Sequence, residues 1–120
     1  MSVRAIRGAT CLVNDSASEM AEAVQELLSA LFIRNEIEND DLISIMLTAT
    51  PDLVSAFPAA GARGLGLGDV PLICAQEINV SGALPRVVRV MVHAESPRPR
   101  EHIVHVYLRG AEVLRQDLAQ

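Results

Sequence analysis

The sequence has no lysine and no tryptophan; all ten of its basic residues are arginine. The missing lysine rules out a P-loop lysine, a Schiff-base lysine and a lysine general base. Aromatic residues are nearly absent too, with two Phe and one Tyr. A core in a chain that is 50% hydrophobic must therefore be aliphatic. Two cysteines, Cys11 and Cys74, lie far apart and form neither a CxxC motif nor a disulfide framework. The three histidines, His93, His102 and His105, fall late in the chain, and no Cys or acidic partner completes a zinc spacing. There is no GxSxG, and no Ser/His/Asp set has spacing support. Basic charge is in deficit: the net charge is −5, which argues against a nucleic-acid partner. The opening MSVRAIRGAT lacks the apolar core of a signal peptide. No run approaches the roughly 20 apolar residues of a membrane span. The expectation is one soluble, cytoplasmic domain over residues 1–120.

What is present is a regular alternation of elements. Val3–Thr10 alternates like a strand, with Val3, Ala5, Arg7 and Ala9 on one face. Ser16 with Glu19 three residues on has the spacing of a capping box. Met20, Ala23, Val24, Leu27, Leu28 and Leu31 then form the stripe of an amphipathic helix that fades near Asn35. Glu38–Asp41 is a polar connection. Leu42–Thr50 reads as a buried strand ended by Pro51. Pro58 suits the first turn of a short helix over Ala59–Leu65. Gly64, Gly66 and Gly68 follow that helix, so they are no dinucleotide fingerprint. Further strands are expected at Leu72–Ile78, Arg86–Ala94 and Ile103–Leu108, and a loose tail from Glu112 to Gln120. This order predicts an α+β or α/β domain: one mixed sheet with one main helix. A single helix covers one sheet face, so another chain is expected to cover the other.

The stretch Ile73–Val92, ICAQEINVSGALPRVVRVMV, reads as core, with Ile73, Ile78 and Val80 counted in it. Yet it also contains Cys74, Glu77 and Arg89, and an unpaired buried charge costs several kcal/mol. One reading joins Arg7, Arg89 and Arg63 as an anion-binding set, because guanidinium forks match carboxylates. Glu77 would then hold a hydroxyl or compensate the arginines. The other reading is a structural Arg89–Glu77 ion pair with Arg7 on the surface. Strict alternation separates Cys74 from Glu77, and a bulge would be needed to join them. Cys74 reads as a packed thiol before a nucleophile.

Four collinear segments carry a resemblance: VRAIRGAT (Val3–Thr10), LTATPDLVSAFPA (Leu47–Ala59), CAQEINVSGALPRVVRVM (Cys74–Met91) and HVYLRGAEVLRQDL (His105–Leu118). Together they resemble the small trimeric, Bacillus-type chorismate mutases, as distinct from the all-helical class. The resemblance implies an α+β, ferredoxin-like chain that trimerises into a pseudo-α/β-barrel, with active sites in clefts between subunits. The implied reaction is the [3,3] rearrangement of chorismate to prephenate, which needs no cofactor, metal, nucleophile or proton transfer. It requires a substrate held in a reactive chair and charge stabilised as the ether bond stretches.

By position in these motifs, the resemblance implies that Arg89 faces the ether oxygen. Arg7 grips a carboxylate and Tyr107 adds a hydroxyl to it. Glu77 and Cys74 bind the ring hydroxyl. Phe57, Ala59, Ile73 and Leu114 form an apolar wall, and Arg63 and Arg115 lie near the mouth. One subunit would supply Phe57–Arg63 and Ile73–Cys74, and its neighbour most of the rest. The tail beyond Leu114 is expected to order when substrate binds. Ala60 replaces a lysine usual in the family, which leaves any steering of substrate to Arg63. Two alternatives remain: a trimeric imine deaminase of the RidA type, and a non-catalytic trimer that binds small anions.

Overall fold

The structure, a computed structural model, describes residues 1–115, with the side chain of Arg115 outside that description. The strands are β1 (Ser2–Cys11), β2 (Leu42–Ala49), β3 (Leu72–Gln76), β4 (Val87–Ser96) and β5 (Val106–Tyr107). The helices are α1 (Ala17–Asn35) and α2 (Ala59–Arg63), with single 3₁₀ turns at Asn39–Asp41, Arg100–His102 and Ala111–Arg115. The strands form one sheet in the order β3-β2-β4-β1-β5. β4 runs antiparallel to both β1 and β2, while β3 and β5 add parallel edges. This is the mixed sheet with one main helix that the element order predicts.

Helix α1 starts where the sequence says it should. Ser16 caps it by accepting the Glu19 N–H at 3.2 Å. The Glu19 carboxylate turns outward to the N–H groups of Val13 and Asn14, so only half of the expected box forms. The buried stripe is Met20, Ala23, Val24, Leu27, Leu28, Leu31 and also Asn35. It packs on Ile6, Ile45, Leu47, Val88, Val90, Val92 and Val106, an aliphatic core. Two glycines permit the close approach. A Cβ on Gly8 would sit 3.0 Å from the Val106 carbonyl oxygen and 3.2 Å from Leu27 Cδ1. One on Gly61 would lie 2.6 Å from Val24 Cβ, so α2 rests on α1 through a bare backbone.

Several boundaries differ from expectation, each for a visible reason. Arg86 does not begin β4: its φ of 52° is left-handed, and its N–H donates to the Asp52 carboxylate. β3 stops at Gln76, and Ile78 and Val80 are 87% and 59% exposed in the loop beyond it, not core. β5 has two residues instead of six. The main chain of Val104 is taken by the Asn35 side chain, which accepts the Val104 N–H and donates to its carbonyl, each at 2.8 Å. Ala111–Arg115 forms a 3₁₀ turn where a loose tail was expected; the tail's behaviour from residue 116 onward lies outside the described residues.

Only one face of the sheet is covered by α1. On the other, Val3, Met46 and Ile73 are 56%, 47% and 63% exposed. The expected open face is therefore present.

Candidate functional site

The open face carries the site, and the register lays it out in two adjacent rows. Ala75, Thr48, Arg89, Ala9 and Tyr107 lie side by side across all five strands. The next row is Ile73, Met46, Met91 and Arg7. Arg7 and Arg89 are thus diagonal neighbours on one face, about 7–8 Å apart for such a pair. Between Arg89 and Tyr107 the row holds the small Ala9, which packs with Tyr107 and Ala111. The result is a cleft of about 290 Å³ lined by Arg7, Gly8, Ala9, Met46, Thr48, Arg89, Val90, Met91 and Tyr107.

Arg89 is held in place. Its Nε donates to the Glu77 carboxylate at 3.0 Å, and the Thr48 hydroxyl donates to the same carboxylate at 2.7 Å. The Arg89–Glu77 ion pair of the structural reading therefore exists, and so does the clustering of Arg7 with Arg89. The two readings are not exclusive. The hydrogen bond uses Nε and leaves the two terminal nitrogens of the fork outside it. The Arg89 side chain is 46% exposed, so the pair contributes at most about 1 kcal/mol to folding. Stability alone is a weak reason to place it there.

Tyr107 closes the β5 end of the cleft and packs with Ala9, Val87 and Ala111 in a small second core, against which Leu114 also rests. Tyr107 is 8% exposed, so its ring is fixed by packing.

The other expected residues whose side chains are described do not line this cleft. Cys74 shares a row with Leu47, Val90, Gly8 and Val106 on the helix side. β3 pairs with β2 without a bulge, so the side chains of Cys74 and Glu77, which the resemblance implied would both bind the ring hydroxyl, lie on opposite faces of the sheet within one chain. Cys74 and Phe57 instead line a separate groove of about 550 Å³ along the β2–α2 loop, with Leu53, Ser55, Pro58 and Gln76. Phe57 is 73% exposed there. Ala59 is buried in the main core, and Arg63 and Ala60 are exposed on α2. Ile73 stands open beside Met46 on the sheet face. Within one chain, Phe57, Ala59, Ile73 and Leu114 thus form no common wall. The side chain of Arg115 lies outside the described residues.

Two residues of the site were missed from sequence. Thr48 was read as part of a buried strand; only the register, which puts it opposite Arg89, shows that it braces Glu77. Asp15 was given no role. Its carboxylate accepts the N–H groups of Val54 and Ser55 at 3.0–3.2 Å and so ties down the loop that ends in Phe57. Desolvation pushes the Asp15 carboxyl up, but these N–H groups and the Ser55 side chain outweigh it and hold it below its ordinary value. At the other cysteine, Cys11, burial first and then the Glu112 carboxylate raise the thiol, against the opposing pull of Arg86, and so disfavour the thiolate. Among the described residues no group of His, Cys, Asp and Glu is arranged to hold a metal ion.

Known proteins resemble this chain along nearly its whole length. The sequence model of the family described as chorismate mutase type I matches residues 3–118. Chorismate mutase AroH of Thermus thermophilus is 43% identical over 97% of this chain and 96% of its own length. Chorismate mutase AroH of Bacillus subtilis is 39% identical over 99% of this chain and 94% of its own. The solved chorismate mutase of Clostridium thermocellum superposes with a TM-score of 0.89 at 44% identity, covering 91% of this chain and 97% of that one. The chain therefore belongs to the type I chorismate mutase family.

Proposed function

We propose that this chain, as one catalytic domain over residues 1–120, is a chorismate mutase of aromatic amino acid biosynthesis, converting chorismate to prephenate at the Arg7–Arg89–Tyr107 cleft. The rearrangement is internal to one molecule: an ether C–O bond breaks as a new C–C bond forms, and six electrons move around a chair. No group on the protein has to bond to the substrate. The protein must select the chair and meet the negative charge that builds on the ether oxygen.

The observation that carries this reading is the guanidinium of Arg89, which lines the cleft and is held through Nε by Glu77, itself braced by Thr48, with the two terminal nitrogens outside that bond. Such a donor, preorganised against developing charge, is worth about 3–4 kcal/mol. Arg7, one row along, takes a carboxylate through its fork. Tyr107 supplies a hydroxyl from the far wall. Glu77 acts mainly through Arg89.

We further propose that the working unit is a homotrimer with its sites between subunits. The reading is supported by the split of the implied residues. Arg7, Arg89 and Tyr107 line one cleft, while Phe57 and Cys74 line another, with Arg63 on the adjoining α2. A neighbour's Phe57–Arg63 segment laid against the open face would supply the missing apolar wall and a second cation. The exposed Val3, Met46 and Ile73 give that face its apolar area. Cytoplasmic residence belongs to the same reading and suits the two free thiols. No helix among the described residues is long and apolar enough to cross a membrane.

The test is direct. Purified protein is mixed with chorismate, with no added metal or cofactor, and loss of the diene absorbance is followed alongside prephenate formation. Saturable turnover is expected, with little dependence on pH near neutrality. Absence of turnover overturns the reading, and sedimentation of a monomer that turns over normally overturns the shared site.

A further inference from the structure

The main-chain N–H of Arg7 donates to the Nδ1 atom of His105 at 2.9 Å. This is an unusual way to end a sheet. β5 pairs with β1 through only two residues, Gly8 with Val106 and Ala9 with Tyr107, and the Leu108 N–H extends the ladder to the Ala9 carbonyl. One step back along β5 the ladder would use the main chain of Val104. Both groups of Val104 are committed to the buried Asn35 at the end of α1. The Arg7 N–H therefore finds no main-chain partner on that side, and the imidazole supplies the acceptor. A ring nitrogen accepts only when unprotonated, so the ring is in the form with its hydrogen off Nδ1.

Resting on the reading of Arg7 as a carboxylate-binding residue, the geometry points to His105 as a positioning residue for substrate binding. It acts through the backbone. His105 fixes the main chain of Arg7 on one side, while its own chain runs directly into Val106 and Tyr107. The side chains of Arg7 and Tyr107, which line the cleft from β1 and β5, are thereby held to one distance. Removing the acceptor leaves a strand N–H unmatched and frees the edge of β1 at the residue that must place a guanidinium. Displacements of about 1 Å at such a residue can cost up to about 100-fold.

The experiment compares His105→Leu, His105→Asn and Arg7→Ala with the full-length wild-type protein, by steady-state kinetics and by inhibition with a rigid dicarboxylate mimic of the transition state. The Asn side-chain oxygen occupies nearly the place of Nδ1 and can accept the same N–H. His105→Leu is expected to lower kcat/KM about tenfold, chiefly through KM, with a matching loss of inhibitor affinity. His105→Asn is expected to recover most of both. A merely structural histidine would lower thermal stability without this split and would not be rescued by Asn. In the wild type, ¹⁵N spectra of the histidine ring are expected to show Nδ1 unprotonated; this holds even if His105→Leu does not fold. A protonated Nδ1, an unchanged KM in His105→Leu, or an Asn variant as impaired as Leu at equal thermal stability overturns the inference. If Arg7→Ala binds poorly while His105→Leu binds normally, the positioning role alone is lost. If Arg7→Ala binds substrate and inhibitor normally, the reading of Arg7 falls first and the inference falls with it.

Discussion

The two faces of the sheet are built from the same strands and obey different rules. On the helix side, Ile6, Leu47, Val88, Val90 and Val92 are at most 3% exposed and pack on a leucine-rich helix. On the other side, the alternate residues of those strands are Arg7, Met46, Thr48, Arg89 and Met91. The helix side is all core, whereas the open side divides into a small buried cluster of Ala9, Val87 and Tyr107 and the exposed candidate-site residues. The consequence is a separation of effects: substitutions on the helix side should change stability and leave the intrinsic chemistry alone, and those at the exposed residues of the open side, Arg89 above all, should do the reverse.

The sharpest break of that comparison is Arg89→Ala. Loss of about 3–4 kcal/mol at the transition state predicts a kcat at least ~100-fold lower. The thermal midpoint should change little, because a half-exposed ion pair contributes at most about 1 kcal/mol and Glu77 keeps the Thr48 hydroxyl. Replacing the guanidinium with the neutral citrulline side chain should be nearly as damaging, since charge is required as well as donors. Near-normal turnover in either variant would falsify the role. The opposite case is Gly61→Ala. The added methyl meets Val24 Cβ at 2.6 Å, a branch point with no room to swing. Denaturant unfolding should show a loss of about 1–3 kcal/mol, while the folded fraction keeps its kcat.

A smaller effect sits in the loop joined to both faces. A carboxyl held below its ordinary value stabilises the folded chain above that value and loses the contribution as pH falls through the lowered one. For Asp15 the ordinary value is 3.8, so its clamp on Val54 and Ser55 is fully present at neutral pH and fails only at more acid pH. Asp15→Asn should accordingly flatten the acid limb of a plot of unfolding midpoint against pH, and raise KM modestly by loosening Phe57. The smallest change expected is Cys74→Ser. The side chain lies on the helix side of the sheet, away from the Arg89 cleft, so turnover should stay within about threefold, or roughly 0.7 kcal/mol. Complete loss would instead indicate covalent chemistry at sulfur.

Much of this was legible in the sequence where a pattern is local. The α1 stripe from Met20 to Leu31, its Ser16 cap and the phase of β1 and β4 follow from periodicity and side-chain chemistry alone. The open face follows from counting one helix against one sheet. The Arg89–Glu77 pair and the Arg7–Arg89 cluster were both foreseen, but as rivals; only the register shows that one side chain satisfies both. Register also explains the omissions. Thr48 looks like any β-branched strand residue until it is placed opposite Arg89. The brevity of β5 depends on Asn35, which is distant in sequence and looks like the end of a helix. Ile78 and Val80 misled because apolar residues in a loop resemble core until their exposure is known.

The chain of contacts from Thr48 through Glu77 to Arg89 has one more effect. A free arginine has about 2 kcal/mol of rotamer entropy to surrender when it is immobilised. Here part of that freedom is given up as β2, β4 and the end of β3 come together, before any ligand arrives. The cation then meets its guest as a fixed electrode, and the disorder it gave up is charged to folding instead of to each catalytic cycle.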